Sequence, residues 1–150
     1  MQEATVLDIA EKALDYGVMG ILILMSIVTL WLFIERMMFY KSVRTEDYEY
    51  RDNLDLDLTD NIGILSAIGT NAPYVGLLGT VTGIMITFYT MGDVGAVDAK
   101  KIMVGLALAL KATAMGLVVA MPAIVAYTIV LRKIERILTK FDVDQEAKAK

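Results

Sequence analysis

Residues 105–131 read GLALALKATAMGLVVAMPAIVAYTIVL. The stretch is apolar or hydroxylated throughout, apart from a single charge, Lys111. A helix needs about 20 such residues to cross a bilayer core at 1.5 Å rise each, so this segment is long enough to span. A lysine at mid-span costs on the order of 2.5–3.5 kcal/mol on insertion scales. The segment therefore sets the fold class, and its one charge raises the first functional question.

The rest of the chain follows the same pattern. The protein has 150 residues, 57% of them hydrophobic, and a mean hydropathy of +0.58. That is too apolar for an ordinary soluble domain of this size. Gly17 to Ile34 and Ile62 to Met91 hold no charge, and Ile102 to Leu131 holds only Lys111. The first block is barely long enough, but Trp31 and Phe33 near its end resemble interfacial anchors. These blocks predict an all-α integral membrane protein with three transmembrane helices, the second and third extended into the cytoplasm, forming an oligomeric bundle around a central pore.

Lys and Arg set the orientation. Arg36, Lys41, Arg44 and Arg51 follow the first span. Arg132, Lys133, Arg136, Lys140, Lys148 and Lys150 follow the third. The N-terminal segment has only Lys12, and the connection between spans two and three only Lys100 and Lys101. The N-terminus is predicted outside and the C-terminus in the cytoplasm. The acidic start, Met1-Gln2-Glu3, lacks the basic region of a cleaved signal peptide.

The reading is a single membrane domain. Residues 4–16 form an amphipathic helix on the outer surface, or else an extension of span one into water. Span one covers 17–39, a polar cytoplasmic connection 40–60, span two 61–92, span three 99–131, and a cytoplasmic tail 132–150. The tail is predicted as a charged helix with Ile134, Ile137, Leu138 and Phe141 on its apolar side. The connection reads as a solvated loop ending in a helix N-cap at Thr59 or Asp60. It starts like a calcium loop at Asp55, but Asp60 stands where the glycine belongs and Ser66 where the terminal glutamate belongs. Pro73 either follows a new helix start capped by Asn71 or kinks a continuous helix, and Pro122 should bend span three. The turn at Met91-Gly92-Asp93-Val94-Gly95 is short, which makes spans two and three an antiparallel hairpin.

Without cysteine or histidine, disulfides, Cys/His zinc sites and His- or Cys-based catalysis are excluded. Ser26 and Ser66 have no neighbouring base. The reading is a non-enzyme with no cofactor, no metal and no nucleic-acid partner.

In helical register, Gly76, Thr80, Gly83, Thr87 and Thr90 form one stripe of small and hydroxylated residues on span two. Ala109, Thr113, Gly116 and Ala120 form another on span three. Small stripes let helices approach closely in lipid, and Gly79 with Gly83 makes a GxxxG pair. Thr80 and Thr113 each lie 11 residues from the outer end of their span, at about 16 Å depth. Two hydroxyls at equal depth could form a polar ring around an axis, or each could bond its own i−4 carbonyl. The spans hold no carboxylate, so if protons move here, a partner supplies the acid.

NAPYVGLLGTVTGIMITF (71–88) together with KATAMGLVVAMPAIVAY (111–127) resembles the ExbB/TolQ/MotA family of energy-transducing inner-membrane proteins. Three spans with the N-terminus outside are closer to ExbB and TolQ than to the four-span MotA stators, and closest to ExbB. The resemblance implies a homopentamer whose second and third spans line a pore around an ExbD-like single-span subunit. An Asp on that partner helix carries protons, and the complex drives a TonB-like protein for outer-membrane import. It makes Thr80 and Thr113 the pore threonines, with Gly76, Gly83, Thr87, Ala109, Gly116 and Ala120 beside them. The alternatives are a TolQ-like subunit and a scaffold that conducts nothing. Many members carry Glu where this chain has Leu108; here the charge is Lys111, three residues on. Lys111 is about 200° around the helix from Thr113, so it is expected away from the pore, contacting a neighbouring subunit or membrane lipids.

Overall fold

The computed structural model describes residues 2–92 and 99–148; the side chains of residues 2–8, 10, 11, 90–92 and 101 are not described. Every regular element among them is helical: α1 (Gln2–Ser42), a 3-10 turn (Thr45–Asp47), α2 (Arg51–Thr59), α3 (Ile62–Gly92) and α4 (Ala99–Lys148). Among the described residues, three helical segments are long and apolar enough to cross a membrane: Lys12–Ser42, Ile62–Tyr89 and Ile102–Lys148.

Helices α1 and α4 run on well past their apolar blocks. α4 has 50 residues, about 75 Å, against a hydrocarbon core of about 30 Å. Span three and the tail are thus one rod, and Pro122 sits inside it. α3 likewise runs through Pro73 without a new start, so Asn71 is no cap. Its side-chain amide instead donates to the Ala67 carbonyl at 2.7 Å. α1 is continuous from Gln2, so residues 4–16 extend span one as the same helix. Part of the apolar N-terminal face, including Val6 and Ala10, lies outside the described side chains, as does the turn at residues 93–98.

Packing has two regimes along the bundle. Within the apolar blocks the core is built of small residues, with Ala72, Ala112, Ala120 and Ala123 buried beside Val18 and Leu22. Lipid tails give helices no hydrophobic reason to associate, so close van der Waals fit must hold them. At and beyond the end of the apolar blocks the core changes to large residues, Leu65 with Leu54, Leu58, Ile134, Leu138 and Phe141. There water makes the burial of large side chains favourable, by about 1.5–3 kcal/mol each when complete.

This second core corrects the reading of 40–60 as a solvated loop. Arg51–Thr59 is a helix that buries Leu54 and Leu58 completely and leaves Leu56 outside. Its exposed carbonyl end is held by α1. Arg36, 6% exposed, donates Nη1 to the Asp57 carbonyl at 3.3 Å, and the Tyr40 hydroxyl donates to the Leu58 carbonyl at 2.8 Å. These are two of the carbonyls that a helix end leaves unpaired, and a cation there also suits the helix dipole. The Arg36 guanidinium is further held by the Glu35 carboxylate at 2.8 Å, and it lies 5.1 Å from the Phe39 ring centre.

Thr59 and Asp60 do not cap span two. The Thr59 hydroxyl donates back to the Asp55 carbonyl at 2.7 Å, and Asp60 is the C-cap of α2. The chain turns at Asn61, whose φ of 58° lies in the left-handed region that Asn tolerates better than most residues. Asp55 and Asp57 sit on α2, and Asp57 accepts a hydrogen bond from the Tyr48 hydroxyl at 2.8 Å. No cluster of metal-ligating side chains occurs among the described residues.

Candidate functional site: the threonine seam between α3 and α4

The two small-residue stripes meet each other. A Cβ added at Gly76 would lie 2.6 Å from the Ala112 carbonyl oxygen, and one at Gly116 would lie 2.7 Å from that of Ala72. No real Cβ approaches backbone so closely, so only glycine allows this crossing. Gly83 packs against Ala109, and Thr87 against Gly105. Ala120 is buried in the apolar cluster with Ala72 and Ala123. Gly79 lies at the edge of the seam, where it meets Ala112 of α4 and Val18 of α1.

At the centre of the seam lies a pair of hydroxyls. Thr80 is 7% exposed. Its Oγ1 is 2.5 Å from Oγ1 of Thr113 and 2.9 Å from the carbonyl oxygen of Ala109. Ala109 is four residues before Thr113, so its carbonyl is the one that the Thr113 hydroxyl would use within its own helix. Thr80 reaches that carbonyl instead, across the seam. A hydroxyl has one proton to give. With the Thr80 proton on the Ala109 carbonyl, Thr113 donates to Thr80, and a short chain runs Thr113 to Thr80 to Ala109. The Gly76 carbonyl, at 3.3 Å, is the weaker intrahelical option for Thr80. Thr87 does follow the intrahelical pattern, donating to the Gly83 carbonyl at 2.8 Å. The side chain of Thr90 is outside the description.

Hydroxyls of this kind do not gain or lose a proton at ordinary pH. They can hold a water, accept from a protonated acid, or pass hydrogen bonding along a chain. Thr113 is half-buried where Thr80 is buried, so Thr113 presents the accessible edge of the pair.

Lys111 is not part of this seam. It is exposed on the protomer, on a side shared with Val104, Leu108 and Val118, each more than half exposed. No ion pair reaches it among the described residues. Met115, on the same stripe, is partly buried.

Sequence reasoning missed a cleft at the end of the bundle where the first apolar block begins. A cavity of about 250 Å³ opens beside the seam and is lined by Asp15, Tyr16, Thr82, Gly83, Leu108 and Ala109, among others. It brings a carboxylate of α1 towards the α3–α4 hairpin. Asp15 lies two residues before the first uncharged block, and only the continuity of α1 with span one carries it there.

Comparison with known proteins agrees with this architecture. Residues 31–143 match the family model described as the MotA/TolQ/ExbB proton channel family. The biopolymer transport protein ExbB of Helicobacter pylori strain J99 is 54% identical over 127 residues, covering 85% of this chain and 88% of that protein. A putative biopolymer transport protein, ExbB-like 2, of Helicobacter pylori is 48% identical over 133 residues, 89% of each chain. The biopolymer transport protein ExbB of Aquifex aeolicus is 46% identical over 132 residues, 88% of this chain and 89% of that one.

Proposed function

The chain belongs to the MotA/TolQ/ExbB proton channel family, and from that premise we propose that it is the proton-channel scaffold subunit of an ExbB–ExbD–TonB energiser. The family and its ExbB-named relatives support an ExbB-like role in biopolymer transport at the inner membrane. In the proposal, five copies surround a pore that holds an ExbD-like single-span helix. The N-terminus is periplasmic and the C-terminus cytoplasmic, and the complex couples the proton-motive force to a TonB-like protein.

The observation that carries this reading is the Thr80–Thr113 pair, held by glycine-dependent packing within two apolar blocks. It supplies polar groups at mid-depth and no titratable one. The scaffold thus positions and solvates an acid that it does not itself provide. Gly76, Gly83, Thr87, Ala109, Gly116 and Ala120 fix the spacing of the two helices, and the Thr113 edge of the seam faces the proposed axis.

The test is purification with and without an ExbD-like subunit, followed by native mass measurement and proton flux in vesicles. The expected result is a pentamer that conducts only with the partner present. A mass other than five chains removes the pore geometry. A pentamer that conducts with neither an ExbD-like nor a TolR-like partner is a passive scaffold, and selective function with Tol-system partners makes it TolQ-like.

A further inference from the structure

Two cavities away from the threonine seam lie on one line between α1 and α4. One, of about 310 Å³, is lined by Thr29, Phe33, Val119, Pro122, Val125 and Ile129, among others. The other, of about 450 Å³, is lined by Tyr40, Arg44, Glu46, Lys133, Arg136 and Lys140, among others. On α4 their walls include positions 119, 122, 126, 129, 133, 136 and 140, with 125 and 137 beside them on the same side. On α1 they include 26, 29, 30 and 33, then 40, and the chain just past the end of α1 adds 43 to 46. Steps of three and four mark one face of a helix. Ile129 and Lys133 are one turn apart, about 6 Å. Aligned in this way, the two cavities form a groove that leads from the apolar interior to a basic mouth. Pro122 to Lys133 spans about 16 Å along the helix, close to the depth of one leaflet's hydrocarbon, half of about 30 Å.

We propose that this groove holds one anionic phospholipid of the leaflet on the basic side. An acyl chain lies along Phe33, Val125 and Ile129, and the phosphate sits among Lys133, Arg136 and Lys140. Charge decides the occupant. The mouth has four cations and one carboxylate, and that carboxylate, Glu46, is paired with Arg44 at 3.4 Å. Lys133, Arg136 and Lys140 have no ion pair among the described residues. A soluble anion would match the mouth and leave the apolar half unused. A zwitterionic lipid would match the apolar half and bring no net charge to the mouth. An anionic amphiphile matches both in the order in which the groove presents them. The inference needs only the membrane-spanning arrangement and does not depend on the channel reading.

The probe is phosphatidylglycerol, compared with phosphatidylcholine and with glycerol 3-phosphate, on the full chain purified in mild detergent with whatever partner co-purifies. Native mass measurement should show one phosphatidylglycerol retained per chain and preferred to phosphatidylcholine. Each juxtamembrane cation acts with an energy worth roughly fivefold in affinity. Lys140→Gln should therefore weaken retention about fivefold, and Lys133→Gln with Arg136→Gln about thirtyfold, at unchanged assembly mass. Ser26→Trp fills the apolar half and should lower retention of both lipids. Equal retention of the two lipids, or retention indifferent to Lys140→Gln and to the double variant, would overturn the proposal. So would glycerol 3-phosphate competing as well as the lipid, which would mark a soluble-phosphate site. A lipid-free native complex whose mass falls in the double variant would also overturn it, because the groove would then be a contact between copies.

Discussion

The hydroxyl of Thr80 bonds to the carbonyl of Ala109, the acceptor that Thr113 would use within its own helix, and Thr113 bonds to Thr80 instead. The pair thereby joins α3 to α4 through side chains rather than satisfying each helix separately. Interhelical hydrogen bonds in membranes are modest, averaging about 0.6 kcal/mol and reaching about 1.7. Packing by the flanking glycines therefore holds the hairpin, and the hydroxyls are available for another use.

Thr80→Val and Thr113→Val keep the side-chain shape and remove the hydroxyl. Each should cost about 1 kcal/mol of stability or less, leave assembly intact, and abolish most proton flux in vesicles carrying the ExbD-like partner. The double variant should cost less than the two singles combined, because they remove one shared interaction. Wild-type flux in both singles would mean that the pair only fastens the helices.

Gly76→Ala and Gly116→Ala each place a methyl against a carbonyl oxygen at under 3 Å. Overpacking of this kind costs about 1–3 kcal/mol. Gly83→Leu puts a larger group against Ala109 and should impair assembly or block flux. Gly63→Ala, with nothing within 4 Å of the new methyl, is the control. It should be neutral or slightly stabilising, since alanine is the better helix former. Detergent thermal unfolding and native mass read both. Equal tolerance at Gly76 and Gly63 would count against the close crossing.

Lys111→Met should leave proton flux per complex unchanged and lower oligomer stability or lipid retention, because the lysine is exposed on the protomer and away from the Thr80–Thr113 seam. A variant complex that is fully stable yet fails to conduct would put Lys111 in the proton path.

Tyr40→Phe removes the hydrogen bond to the Leu58 carbonyl, a buried interaction. The expected cost is about 1–3 kcal/mol, the penalty for an unsatisfied buried acceptor. It should appear as faster hydrogen exchange across Arg51–Thr59, with little change in α3 and α4. Unchanged exchange in that segment would show that Leu54 and Leu58 alone dock α2.

A pH effect follows from Tyr48. Its phenol is held above its ordinary value of 10.0, chiefly because it donates to the Asp57 carboxylate and further because of partial burial. The fold favours the protonated phenol, so its contribution is fully present below pH 10 and is lost as pH rises through the higher folded value. Docking of the segment around Tyr48 and Asp57 should loosen in that alkaline range, and Tyr48→Phe should remove that component of the pH dependence. Hydrogen exchange of α2 against pH provides the measurement.

The three spans were legible in the sequence because block length and charge are local properties of the chain, and a bilayer imposes them on any segment that crosses it. The tail face of Ile134, Leu138 and Phe141 was legible for a similar reason, since helical periodicity is written in spacing. Helix α2 was not. In NLDLDL (53–58) the leucines alternate with aspartates, a pattern with no clear helical period, and only docking on α1 and α4 selects Leu54 and Leu58 and rejects Leu56. Arg36 read as one more cytoplasmic charge, until the tertiary structure set it against the carbonyl end of α2. Depth along each span placed Thr80 and Thr113 level with one another, but depth says nothing about rotation. Whether two hydroxyls bond their own helices or each other depends on which faces meet, and that was decided by the glycines that let α3 and α4 approach closely.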